Sequence, residues 1–415
     1  MRVLLAATRL SGTDGVSLEA RKVREGLEAL GHRVFALAGT LDPDWEGVEV
    51  PEMHFQSPLA RRFQPRAFAP GPEDPGRTRA VLRAGRALAD RLEASLAGVR
   101  PQLLLVENAW AIPLHLPLAV ALFRLWRALG VPALSHNHDY FWERRRFLQN
   151  RVPTLLARYF PPAGPGQLSI NTLQQAQLRR RRGLDSRLLP NVMDFDRSPP
   201  GPDDFNADFR ESLGIGNRLL LLQPTRVVPR KRIEKSLDLA AALRDRGYDP
   251  VVLVTHAAGD EGYRYQEGLR AYARAKGVDL RFAAGRVARR RGWAGGEKVY
   301  SLWDAYLHAD LVTYPSAYEG FGNALLEAVW MRRPLLVGRY PVYLSDIRPL
   351  GFRFVEVGAR VDAGAVRGVL RFLRDPGYAR EAAEANYRIA ARHFGYPRLK
   401  SVLREALVEA RRSAT

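Results

Sequence analysis

Residues 311–327 read LVTYPSAYEGFGNALLE. The apolar run LVTY has the composition of a buried strand, the segment around Pro315 and Gly320 that of a loop, and the residues from Asn323 onward that of an apolar helix. A strand passing through a short loop into a helix is the repeating unit of a parallel sheet covered by helices. The loop also suits a ligand. Gly320 and Gly322 let backbone approach closely, and the first amides of the helix, from Ala324, would point N–H groups at an anion. Glu319 and Glu327, with seven residues between them, would accept hydrogen bonds from hydroxyl groups rather than bind phosphate. The combination suggests a sugar diphosphate, with sugar at one carboxylate and ribose at the other. The same letters also suit an ordinary strand-to-helix turn with an acidic residue in the first helical turn.

Outward from this stretch the pattern repeats. Strand-like runs lie at 3–8, 33–37, 103–107 and 133–136, and again at 219–223, 251–255, 280–283 and 334–337, with amphipathic stretches such as 18–30 and 233–246 between them. The expected fold is α/β, two Rossmann-like doubly wound domains facing across a cleft where a ligand collects. RSPPGPDD at 197–204 is the linker candidate. The expected division is 1–198 for an N-terminal acceptor-side domain, 199–395 for a nucleotide-sugar-binding domain, and 396–415 for a final helix that the sequence assigns to either domain, packing back on the N-terminal one being one of the two arrangements.

A chain of 415 residues with 46% hydrophobic and 26% charged residues and no cysteine is long enough for two cores, and excludes disulfides, thiolate-bound zinc and a cysteine nucleophile. The N-terminal run MRVLLAATRL reads as a strand rather than a signal, and the stretch 109–123 is broken by Pro113 and Pro117 before it reaches membrane-spanning length, so a cytoplasmic location is expected. The formal charge of +20 comes almost entirely from arginine, since six of the 64 basic residues are lysine. Nucleic-acid motifs are absent, so no nucleic-acid partner is expected. Arginines cluster with apolar residues at 61–83 (Arg61, Arg62, Arg66) and 144–158 (Arg144, Arg145, Arg146), a pattern of solvated faces that is also compatible with peripheral contact to a membrane surface.

Three further motifs carry chemistry. Gly12-Thr13-Asp14-Gly15 joins the first strand to a helix and would present amides to an anion. Arg226 and Lys231, in TRVVPRK after the strand LLLLQ, could neutralise a diphosphate without a metal ion, or belong to a solvated basic loop. His136-Asn137-His138-Asp139 ends a strand; either histidine could bond a substrate hydroxyl, ligate a metal or cap the strand, and with no second spaced pair of histidines no metal site is expected.

In this order the motifs resemble those of retaining glycosyltransferases of the GT-B fold, family 4 (glycosyl transferases group 1). The match runs through the Gly12–Gly15 turn, His138-Asp139, LPNVMDFD at 189–196, TRVVPRK at 225–231, AAGRV at 283–287 and YPSAYEGFGNALLEAVWMRRPLLV at 314–337. The resemblance implies a metal-independent, cofactor-free hexosyltransferase whose donor is a nucleotide-diphosphate sugar and whose acceptor is a carbohydrate, a lipid-linked or another small molecule. It assigns Glu319 to the transferred sugar as a positioning residue, Glu327 to the ribose, and Arg226 and Lys231 to the diphosphate. The backbone of Phe321, Gly322 and Asn323 would line the sugar, with Ala324 and Leu325 near the phosphate. Arg286, Gly12 and Gly15 complete the donor set, and His138 lies by the sugar ring. Asn108, Trp110, Tyr140 and Arg144, near strand ends of the first domain, are the candidate acceptor residues. Two positions depart from the family pattern: Asn191-Val192-Met193-Asp194 replaces Asn-Gly-Val-Asp, and Arg232 stands where a small residue is usual after the phosphate lysine. Readings left open are a nucleotide-sugar epimerase or hydrolase of the same fold and, from another class, a basic nucleic-acid or membrane-surface binding module.

Overall fold

The computed structural model describes the chain except Thr13, residues 259–262 and residues 413–415, so Thr13 of the glycine turn lies outside the described residues. The chain divides into two compact units, 1–191 together with 397–415, and 192–396. The division falls after Asn191, ahead of the Pro-rich segment 197–204. Met193 bridges to Gly395 and Trp330 donates to the Arg197 carbonyl, so these residues already pack with the second unit.

The first unit holds strands β1 (Arg2–Ala7), β2 (Arg33–Ala38), β3 (Gly47–Glu49), β4 (Leu103–Glu107), β5 (Ala133–Asn137), β6 (Gly166–Ser169) and β7 (Arg187–Leu188). They form one parallel sheet ordered β3-β2-β1-β4-β5-β6-β7. Every residue of β4 and β5 is buried, as expected for strands covered by helices on both faces. The helix Gly15–Ala29 starts at an Asp14 cap whose carboxylate accepts from the Val16 and Ser17 amides. Further along it, Gly26 has no side chain where a Cβ would meet Leu399 Cδ2 at 2.9 Å, and the C-terminal helix Tyr396–Arg412 packs there through Leu399 and Leu403. In the arginine-rich stretches Phe63, Phe147 and Tyr159 point into the core, so their apolar residues anchor the helices, with Leu148 exposed.

The second unit has β8 (Leu219–Gln223), β9 (Pro250–Val254), β10 (Asp279–Phe282), β14 (Leu311–Tyr314), β15 (Leu335–Gly338) and β16 (Val355–Val357) in a parallel sheet ordered β10-β9-β8-β14-β15-β16. A small three-stranded sheet of β11 (Val287–Ala288), β12 (Gly292–Ala294) and β13 (Glu297–Ser301) follows β10. The strands absent from the sequence reading, β3, β6, β7, β11, β12, β13 and β16, are two to five residues long and carry no continuous apolar run longer than two residues. Their extended form comes from pairing with a neighbour rather than from their own composition. No helix among the described residues is long and apolar enough to cross a membrane.

Both sheets reverse their strand order beside the first strand, between β1 and β4 and between β8 and β14. At such a point the loops leaving the two strands diverge and open a crevice at the carboxyl ends, where ligands of this architecture bind.

Candidate functional site

In the second unit the loops after β8 and β14 meet. Lys231, 8% exposed, donates Nζ to Oε1 of Glu319, itself 7% exposed. Arg230 Nη1 bonds the other oxygen of Glu319 at 2.8 Å and the Tyr318 carbonyl at 3.0 Å, while the Ala317 amide donates to the Arg230 carbonyl at 2.9 Å. Lys231 Nζ also lies 4.9 Å from the centre of the Tyr314 ring. Burial pushes the Glu319 carboxyl up, but Lys231 and then Arg230 outweigh it and hold it below the usual carboxylate range. Lys231 is pushed below the usual amine value by burial, an effect that Glu319 only partly offsets. The cluster is therefore a fixed carboxylate clasped by two cations, and a solvated loop is excluded for Lys231.

Glu327 is held on the following helix, Asn323–Trp330, by Tyr306, whose hydroxyl donates to Glu327 Oε2 at 2.8 Å and to the Ala324 carbonyl at 3.2 Å. Gly322, at φ 127°, starts that helix. A Cβ there would stand 2.5 Å from the Tyr340 hydroxyl, which donates to the Phe321 carbonyl at 2.8 Å. The left-hand φ and the close approach both require glycine. Asn323 and Ala324 open the helix. The Leu325 amide donates to the Gly322 carbonyl at 3.0 Å and its side chain is fully buried, which removes Leu325 from the phosphate-facing set. Phe321 is buried, edge-on to Phe394 at 5.1 Å.

Arg226 is exposed, and its side chain makes no hydrogen bond among the described residues. It lies close enough to His256, with Lys231, to reinforce the effect of burial, which lowers that imidazole to about 4. Arg286 does not join the cluster: its guanidinium donates to the Lys298 carbonyl and to Glu297, each at 3.0 Å, and ties the loop after β10 to the small sheet. Arg232 takes a left-handed φ of 52° and turns its side chain toward solvent, so the departure from a small residue puts no buried charge beside Lys231.

In the first unit, the Gly12 amide meets the Asp42 carboxylate at 3.2 Å, and the space beside the Gly15 Cα is open. Past the carboxyl ends of β4 and β5, His138 donates Nε2 to Glu107, and His136 Nδ1 reaches the same oxygen at 2.9 Å. One ligand atom from each of these three residues lies within 4.8 Å of the others, a cluster that a search for spaced histidine pairs could not assemble. Asn108, at a left-handed φ of 56°, accepts from the His138 amide at 3.0 Å and donates to Asp139 at 3.3 Å. Its amide therefore holds the turn rather than an acceptor. Trp110 and Tyr140 are fully buried, with the indole N–H donated to the Ala119 carbonyl and the phenol bonded to Ser169, and both leave the acceptor set. Arg144, paired with Asp139, keeps nearly half its side chain exposed.

The contacts that sequence did not reveal are those of Arg230 with Glu319, Tyr306 with Glu327, Tyr340 with the Phe321 carbonyl and Glu107 with the two histidines. Glu107 had one legible signal, a carboxylate closing a strand whose other residues, LLLV, are all apolar.

The family model described as glycosyl transferases group 1 matches residues 205–389. Mannosylglucosylglycerate synthase of Thermotoga maritima is 32% identical over 443 aligned positions, covering 98% of this chain and 100% of the relative. The enzyme of the same name from Petrotoga mobilis is 31% identical, with 87% of this chain and 88% of the relative covered. Among solved structures, Anabaena HepE in complex with UDP and glucose matches with a TM-score of 0.67 at 15% identity, over 99% of this chain and 100% of that one.

Proposed function

Because the chain belongs to the glycosyl transferases group 1 family and is a glycosyltransferase of GT-B fold, we propose that it is a retaining, metal-independent hexosyltransferase using a nucleotide-diphosphate sugar. Its product would be a mannosylglucosylglycerate-type glycoside, from the name of the relatives that match it along most of its length. The observation that carries the donor reading is the buried Lys231–Glu319–Arg230 cluster at the strand-order reversal of the second unit.

Breaking the anomeric carbon–oxygen bond sends the electron pair to the diphosphate, and Arg226 and Lys231 offset the charge that develops there. The acceptor hydroxyl attacks from the face the diphosphate leaves, and its proton passes to the departing phosphate oxygen. Glu319, clasped by two cations, is a poor nucleophile and a good fixed acceptor for sugar hydroxyls. Glu327, oriented by Tyr306, takes the ribose, and the amides of Asn323 and Ala324 complete the donor set of the second unit. In the first unit His138 is assigned to a sugar hydroxyl. A glycerate-bearing acceptor carries a carboxylate, for which the half-exposed Arg144 is the matching cation.

The test is incubation of the full chain, in chelator, with a panel of nucleotide-diphosphate mannoses and glucoses, with and without glucosylglycerate. Product is read by mass spectrometry and its anomeric configuration by NMR. Nucleotide release that needs the acceptor, with the donor's configuration kept, is expected. Release without acceptor would make the protein a hydrolase, inversion would remove the retaining mechanism, and a requirement for added metal would remove metal independence.

A further inference from the structure

Glu107 closes β4 with its side chain wholly buried. Parallel pairing places it opposite His136 in β5, and His138, two residues on, returns to the same side of the chain. Both rings converge on it: His136 Nδ1 lies 2.9 Å from Oε1 and 3.2 Å from Oε2, and His138 Nε2 is bonded to Oε1. A carboxylate so buried needs hydrogen-bond donors, and here two ring N–H groups supply them.

The consequence for His138 is a fixed tautomer. Nε2 carries the proton that Glu107 accepts, and Nδ1 makes no hydrogen bond among the described residues. The backbone is held too, since the His138 amide donates to Asn108 at 3.0 Å and its carbonyl accepts from Gln174 at 3.0 Å. The ring is thus pinned at one nitrogen and at both ends of its own residue.

We infer that Glu107 is a positioning residue for His138, fixing the Nε2–H tautomer and leaving Nδ1 as the atom that meets a substrate oxygen, with His136 as the second donor that steadies the carboxylate. This rests on the assignment of His138 to substrate made above. The electrostatics agree with the geometry. Burial pushes the His138 imidazole down, but the charge and hydrogen bond of Glu107, helped by Glu19 and Asp139, outweigh it and leave it above its ordinary value. Burial likewise pushes Glu107 up, and the two imidazoles bring it to about 2. His138 therefore stays an imidazolium, with Nδ1–H a donor, to higher pH than a free histidine.

The test uses full-length protein with nitrogen-labelled histidine, the His138 signal being identified by its loss in His138→Ala. Wild type should show the Nε2–H tautomer and a titration above the ordinary imidazole value. Glu107→Gln keeps a carbonyl acceptor and removes the charge, so its His138 should titrate about one pH unit lower or more. His136→Asn keeps an N–H where Nδ1 stands and should stay close to wild type, whereas His136→Ala should not. In turnover, Glu107→Gln should lower kcat by about 10- to 100-fold with donor KM nearly unchanged, and move the alkaline limb of kcat to lower pH. An unshifted His138 titration in Glu107→Gln, or an Nδ1–H tautomer in wild type, overturns the inference. If the NMR coupling is present while both Glu107→Gln and His138→Ala turn over like wild type, the substrate-facing role of Nδ1 falls together with the assignment of His138. Stoichiometric zinc binding that abolishes the His138 titration would make the three side chains a cation site and overturn the inference; no binding supports it.

Discussion

Replacing Lys231 by Met removes one of the two cations on a carboxylate that has almost no access to water. Breaking a buried ion pair by removing one partner costs about 3–5 kcal/mol, because the other charge is stranded. Here Arg230 still holds the second oxygen of Glu319 at 2.8 Å, which places Lys231→Met at the low end, about 3 kcal/mol. For a unit of this size that lowers Tm by roughly 6–12 °C. Glu319→Gln strands Lys231 beside Arg230 and should cost a similar amount. The double variant strands neither, so it should cost about 2–3 kcal/mol less than the two single changes together. The assay is thermal and urea unfolding of the four proteins. The pH dependence has a definite sign. The folded carboxyl lies below its unfolded value of 4.5, so its contribution is present above that pH and is lost as pH falls through the folded value. In Lys231→Met the carboxyl recovers toward the ordinary range, and acid loss should begin at higher pH. A saturating nucleotide diphosphate should stabilise wild type by about 2.7 kcal/mol at 100 times its dissociation constant, and the Lys231 variant by much less. Single-variant costs that add to within about 0.5 kcal/mol would refute the claim that the pair is energetically coupled.

Tyr306→Phe removes the donor that orients Glu327, and should cost about 1–2 kcal/mol of stability and weaken nucleotide binding several-fold by calorimetry. An unchanged affinity would show that Glu327 does not depend on this bond. Gly322→Ala forces a Cβ onto the Tyr340 hydroxyl at a left-handed φ and should cost about 3 kcal/mol in unfolding experiments; adding Tyr340→Phe should recover part of this by relieving the contact. His115 caps the helix Leu116–Leu129 through Nδ1, and burial lowers it to about 4. Its folded value lies below the unfolded one, so stability falls by about 3 kcal/mol as pH drops from 6.5 to 4. His115→Asn keeps the cap without the titration, and the acid loss of its unfolding free energy over that range should be correspondingly smaller.

Much of the fold was present in the sequence because parallel strands buried on both faces must be continuously apolar. Runs such as LLLLQ and LVTY therefore announce themselves, as do the amphipathic helices between them. Arg226 and Lys231 in the loop after β8, Glu319 in the loop after β14 and Glu327 on the helix that follows were legible as candidates from local chemistry and spacing, alongside the readings of a solvated loop and an ordinary turn. What only tertiary structure decided is which of these groups touch. Strand order brings the loops of β8 and β14 together, so Lys231 and Arg230, 88 and 89 residues from Glu319 along the chain, become its hydrogen-bond partners. The register of β4 and β5 likewise sets Glu107 against His136 and His138. Burial then removed some candidates: Trp110, Tyr140 and Leu325 carry suitable chemistry at suitable positions, yet are fully buried in the core. A periodic pattern reports which face of one element is apolar, whereas the partner of a polar group depends on contacts between elements distant in sequence.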